Sequence, residues 1–213
     1  MNKRILCFGD SNTWGAIGGT TLRFDDEQRW TGVMQRELGE GYTVINEGYN
    51  GRTTTRTDEV EGRLSGIEYF RPCLDSQSPL DLVVLMLGTN DLKVRFGVGA
   101  QSIANNSLRQ YLDALAITPM MGDRPQLLLV SPIHIDPSYK DNALFADMFG
   151  EFGVERSQAL AAAYREFAEA EGIAFLDAAA YASACVEDGI HITLEGHQRL
   201  GVAIAQKARE LIG

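Results

Sequence analysis

Short apolar runs alternate with amphipathic stretches along almost the whole chain. Ile5-Leu6-Cys7-Phe8, Thr43-Val44-Ile45-Asn46, Leu82 to Leu87, Gln126 to Val130 and Ile173-Ala174-Phe175-Leu176 have the length and side chains of strands. The third run is apolar without interruption, the pattern of a parallel strand covered on both faces. Trp30 to Leu38, Ser102 to Ala116, Val154 to Glu171 and Leu194 to Ile212 read as helices, with Gly172 as the stop signal of the third. Strands and helices alternating at this spacing imply right-handed crossovers. The expectation is α/β: a single domain over 1–213, with a five-stranded parallel sheet between two helical layers. In such a sheet ligands bind beyond the carboxyl ends of the strands.

Candidate chemistry falls on those loops. After the first strand comes Gly9-Asp10-Ser11-Asn12-Thr13. A serine on a glycine-led turn is placed as a nucleophile would be, with its amide free to face an anion. The same turn also suits Ser11 or Thr13 as an ordinary helix N-cap. Asn46 to Thr54 follows the second strand, and there Gly51 offers a second backbone donor or is simply a loop glycine. Gly88-Thr89-Asn90-Asp91 follows the third. Asn90 is a neutral donor suited to an oxyanion, although Thr89, Asn90 or Asp91 would equally cap a helix. Near the C-terminus, Asp188 and His191 are three residues apart on a turn before the last helix. A carboxylate there can fix the imidazole tautomer while the other ring nitrogen faces a hydroxyl.

Composition narrows the classes. The formal charge is −10 over 213 residues, and no Lys/Arg cluster gives the footprint of a nucleic-acid binder. The longest apolar run is far short of the ~18–20 residues that span a bilayer, and no secretory leader is recognisable. Cys7, Cys73 and Cys185 are odd in number and form no CxxC pattern. A cytoplasmic protein without membrane, nucleic acid, metal or cofactor is expected.

Taken together, Gly9-Asp10-Ser11, Gly51, Gly88-Thr89-Asn90-Asp91 and Asp188-Gly189-Ile190-His191 resemble the four blocks of the GDSL/SGNH hydrolase superfamily. Arg4 to Ser11, Arg29-Trp30-Thr31-Gly32 and Leu85 to Asp91 are similar to its bacterial arylesterase/acyltransferase branch. The resemblance implies a flavodoxin-like strand order, 2-1-3-4-5, and a small-molecule ester substrate, with acyl transfer to alcohols or peroxide beside hydrolysis. It implies Ser11 as nucleophile, His191 as general base and acid, and Asp188 as its partner. The oxyanion hole would comprise the Ser11 and Gly51 amides and the Asn90 side chain. Asn12 stands where the family usually has Leu, and Asn50 where side-chain size tunes acyl access.

Asp10, Asn12, Trp14, Asn50, Ile190 and Ile192 are the expected substrate contacts, with Tyr49 and Phe96 as further candidate walls. The apolar stretch 135–152 is long for a connection and should be covered, as a lid or against another subunit of a homo-oligomer. Thioesterase, lysophospholipase and carbohydrate deacetylase readings use the same residues. A haloacid-dehalogenase-type phosphatase would want a second Asp at Asn12. An α/β-hydrolase would need a Gly-x-Ser-x-Gly elbow that the chain lacks. A flavodoxin-like binding protein is the non-enzymatic alternative.

Overall fold

Five parallel strands form one sheet in the order β2-β1-β3-β4-β5. They are β1 (Lys3–Gly9), β2 (Tyr42–Gly48), β3 (Leu82–Met86), β4 (Gln126–Ser131) and β5 (Ala174–Asp177). The computed structural model describes residues 2–213. Alternation along β1 sends Leu6 and Phe8 into one core and Ile5 and Cys7 into the other, as the two-residue period of a strand requires. On the first face lie α3 (Gly66–Gln77), α5 (Arg109–Ile117) and α7 (Gly153–Glu171). On the second lie α2 (Trp30–Leu38) and α8 (Leu194–Ile212). The expected three-layer α/β domain with this strand order is what the chain forms.

Two stretches differ from expectation. The sequence reading places no helix between β2 and β3. Yet α3 forms there: Ser65 and Glu68 make a reciprocal capping box, and Phe70, Cys73 and Leu74 are fully buried on the sheet. Pro72 lies on the exposed side, so apolar burial on the opposite face outweighs its missing donor. The helix expected over 102–116 is interrupted, with α4 (Ala100–Ser102) and a π-helical Ile103–Leu108 preceding α5.

The long stretch after β4 is not bare loop. It holds a 3₁₀ turn at Pro137–Asp141 and the short α6 (Ala143–Phe149). No helix among the described residues is long and apolar enough to cross a membrane.

Candidate active site

The turn after β1 runs directly into a one-turn helix, α1 (Ser11–Trp14). Asp10 caps it by accepting from the Asn12 amide at 2.9 Å, so neither Ser11 nor Thr13 is the cap. That leaves the Ser11 hydroxyl for a partner from the far end of the chain. His191 Nε2 lies 3.0 Å from Ser11 Oγ, and His191 Nδ1 lies 2.6 Å from Asp188 Oδ2. Asp188 is anchored in turn. Its Oδ1 accepts from the Ile190 and His191 amides at 2.9 and 3.0 Å, and its Oδ2 from Gly19 at 2.9 Å. Burial alone would push this carboxyl up. The His191 ring and the amides of His191 and Ile190 outweigh that and hold it well below the usual carboxylate range.

The loop carrying His191 is tied to the loop carrying Ser11 by one side chain. Asn12 accepts from the Ile192 amide at 2.9 Å and donates to the Ile190 carbonyl at 3.3 Å. An asparagine here therefore fixes the backbone on both sides of His191, which a leucine could not do.

Three donors face the same space. The Ser11 and Gly51 amides donate to no protein acceptor among the described residues. Gly51 has φ +76°, a left-handed conformation that glycine adopts without strain. Asn90 gives one amide proton to the Arg52 carbonyl at 3.1 Å, which leaves the second free. The Arg52 guanidinium donates at 2.8 Å to the Gly9 carbonyl, where β1 ends, and also to the Glu47 carbonyl near the end of β2. It lies 4.2 Å from the centre of the Phe8 ring. Asp91, rather than capping a helix, is buried and accepts from the Thr54 amide and hydroxyl. Burial pushes the carboxyls of both Asp91 and Asp10 up to about 6. Such a cluster at the carboxyl edge of a parallel sheet can add a hydroxyl to a carbonyl and hold the resulting oxyanion.

The GDSL-like Lipase/Acylhydrolase family model matches residues 7–199. The chain belongs to that family. Among solved structures, an aryl esterase from M. smegmatis shares 37% identity, with 98% of this chain and 99% of that chain covered and a TM-score of 0.92. A carbohydrate acetylesterase from Sinorhizobium meliloti shares 39%, covering 99% and 100%, at 0.92. A carbohydrate acetylesterase family member from the same organism shares 32%, covering 99% of both, at 0.93. No curated relative matches. Membership of this acylhydrolase family makes the protein a carboxylic ester hydrolase of the GDSL/SGNH type.

In this family member Ser11, Trp14, Asn50, Gly51, Asn90, Ile190 and His191 line one cavity of about 240 Å³. Phe145, Met148 and Phe149 of α6 form an apolar wall, and Phe145 meets the His191 ring edge-on at 6.2 Å. Three expected substrate contacts do not line the cavity. Asp10 turns inward as the cap, Asn12 is spent between the two loops, and Ile192 is buried in the core under α8. Tyr49 and Phe96 are also absent from the wall, the first beside Arg63 and the second beside Arg95. The cavity instead recruits Thr20, Thr21, Leu22, Glu61 and Lys93, none of which sequence reasoning identified. Thr20, Thr21, Leu22 and Glu61 lie in segments with no motif, and only the folding of 16–24 and 58–63 over the strand ends brings them there; Lys93 follows the Gly88–Asp91 motif by two residues.

Proposed function

We propose that this esterase cleaves short-chain and aryl esters through an acyl-Ser11 intermediate. Ser11 Oγ attacks the ester carbonyl while His191 Nε2 takes its proton, and Asp188 keeps the imidazole oriented and stabilises its charged form. The oxyanion forms among the Ser11 and Gly51 amides and Asn90 Nδ2. The alcohol departs with the proton held by His191. Water, or a competing alcohol or peroxide, then attacks the acyl-serine with His191 again as base.

The observation that carries this reading is the unbroken chain Asp188–His191–Ser11, at 2.6 and 3.0 Å, opening into the cavity beside Asn90. At about 240 Å³ that cavity is smaller than the ~300–1,000 Å³ of drug-sized sites, which favours acetyl-sized acyl groups and small rings. The aryl esterase and the carbohydrate acetylesterases among its structural relatives support the same size range. A serine-directed phosphonate should label the protein stoichiometrically at Ser11, and Ser11→Ala should abolish both labelling and turnover. Labelling elsewhere, or a Ser11→Ala variant within tenfold of the parent, would remove Ser11 from the mechanism. A panel of p-nitrophenyl esters should lose kcat/KM beyond four acyl carbons, and added alcohol should yield transesterified product.

A homo-oligomer is part of the same proposal. Leu22 and Leu144 line the cavity yet are 63% and 59% exposed, a surface that a second copy would cover. Sedimentation at micromolar concentration should give more than one subunit; a monomer would refute it.

A further inference from the structure

The oxyanion donors outside the Ser11 turn stand on two separate segments. Gly51 lies in the turn that the Arg52 amide closes onto the Tyr49 carbonyl at 3.1 Å, whereas Asn90 opens the 3₁₀ turn Asn90–Leu92. Because the Gly51 amide donates to no protein acceptor among the described residues, its direction is set by what packs around its turn. A third segment does that packing. Residues 58–63 form a tight loop closed by reciprocal backbone bonds between Asp58 and Arg63, at 2.8 and 2.9 Å. From this loop Arg63 Cγ and Glu61 Oε2 come within 3.1 and 3.2 Å of where a Cβ on Gly51 would stand. The Arg63 guanidinium also donates to the Tyr49 hydroxyl at 3.1 Å.

The same loop is joined to the Asn90 turn by charge. Lys93, whose amide donates to the Asn90 carbonyl at 3.3 Å, reaches both acids of the loop. Its Nζ lies 3.2 Å from Asp58 Oδ2 and 2.5 Å from Glu61 Oε1, and Arg95 bonds the same two oxygens. Asp58 Oδ1 accepts from the Glu61 amide at 3.3 Å, so Asp58 is engaged through both oxygens. The side chains of Asp58 and Lys93 are only 1% and 3% exposed. Such a buried cluster is a poor source of net stability, because desolvation offsets the attraction. Its effect is geometric: two carboxylates of the loop behind Gly51 are fixed to two cations that follow Asn90.

We propose that Asp58 is a positioning residue for ester hydrolysis: through Lys93 and Arg95 it holds the Gly51 turn in register with the Asn90 turn, and so aims both donors at one oxyanion. The proposal rests on the reading of Ser11 as nucleophile. Asp58 does not line the cavity, so it reaches the reaction only through the donors. A misplacement of about 1 Å can cost on the order of 10² in rate.

The test is Asp58→Asn, which keeps the shape of the side chain and breaks its pairing with the two cations. Rates on p-nitrophenyl acetate are expressed per site titrated with the phosphonate, so that inactive protein does not count. The kcat should fall at least fivefold, with the loss carried by kcat rather than KM, since the oxyanion exists only after attack. The second readout is the same substitution beside Asn90→Ala. Acting through the donor pair, Asp58→Asn should cost at least twofold less there than in the parent, whereas independent structural damage multiplies the rate by the same factor in both backgrounds.

A kcat per titrated site within fivefold of the parent overturns the proposal, as does a loss carried by KM or a penalty not reduced twofold beside Asn90→Ala. Should Asp58→Asn fail to fold, Arg95→Gln takes its place, since the Arg95 side chain is 24% exposed and lies outside the cavity wall. Its kcat should fall at least threefold, and a smaller change overturns the assignment. Labelling separates the two readings. A labelled parent whose Asp58→Asn variant keeps its kcat loses only the positioning role, whereas a parent unlabelled at Ser11 loses the nucleophile as well.

Discussion

Asn90 has one amide proton committed to the Arg52 carbonyl and one left to face the cavity. Replacing it by alanine removes a donor from the oxyanion hole, which typically costs on the order of 10²–10³ in kcat. It also leaves the Arg52 carbonyl without its partner, which costs about 1 kcal/mol of stability. Asn90→Ala is therefore expected to keep its fold by circular dichroism and to lose activity at that scale; turnover within tenfold of the parent would exclude Asn90 from the oxyanion hole. At this scale the sequence was legible for the residues that the structure brings together. Ser11, Asn90, Asp188 and His191 each sit in a short motif because each needs particular neighbours: a cap, a tight turn, a backbone amide. It was misleading for Asp10 and Asn12, whose polarity suggests substrate contact. Both are consumed by backbone groups, Asp10 in capping α1 and Asn12 in fastening the His191 loop.

Between the elements, Arg52 is the staple. Its guanidinium joins the ends of β1 and β2, and its own carbonyl holds Asn90, which follows β3. Three strand ends are thus fixed by one residue adjacent to Gly51. Gly48 lets α1 pack against the end of β2, since a Cβ there would lie 2.0 Å from the Trp14 nitrogen. Arg52→Met would remove a charge-assisted hydrogen bond from each of two partly or fully buried carbonyls, at about 1.5–3 kcal/mol each, although the Gly9 carbonyl keeps the Tyr49 amide. Urea unfolding should report a loss of about 2 kcal/mol or more, and kcat should fall at least tenfold while the protein remains folded at low urea. Arg52→Lys keeps a charge but lacks the planar fork, so it should recover less than half of the lost stability. An Arg52→Met variant with parental kcat would show that the strand ends hold their geometry without it. The strands themselves were readable from unbroken apolar runs, whereas α3 was not: its signal is a buried face of Phe70, Cys73 and Leu74, diluted by Gly66 and Pro72.

Across the whole molecule, His197 links α8 to α2. Its Nδ1 accepts from the Trp30 amide at 3.2 Å, in the first turn of a helix whose N-cap Arg29 makes no side-chain cap bond. Burial, with a smaller push from His191, drives the imidazole down to about 3, so the folded protein holds it neutral. An unfolded chain protonates it near 6.5. Between those values the unfolded state binds more protons, so this residue's contribution to stability falls as pH drops below about 6.5. From pH 6.5 to 5 the loss is about 2 kcal/mol, at 1.36 kcal/mol per unit. Asp10 and Asp91, raised to about 6, act oppositely: they bind protons more readily when folded, and so favour the fold as pH falls from 6 towards 4. The quantity to measure is the difference between parent and His197→Gln in urea midpoint at pH 7 and pH 5. The parent should lose ground to the variant on acidification; parallel curves would show that His197 is protonated without cost.

What the sequence determined by itself is the strand succession and the four motif positions Ser11, Asn90, Asp188 and His191, which the fold brings to one cavity, because apolar period and turn chemistry are local and survive in one dimension. The tertiary structure alone decided the substrate side of the cavity. Glu61, Lys93 and Thr20 reach the site from separate loops, and their placement depends on long-range packing and on a charge cluster joining residues 58–61 to 93–95. Such pairings leave no periodic trace along the chain, since the energy that selects them exists only once distant segments have excluded water together.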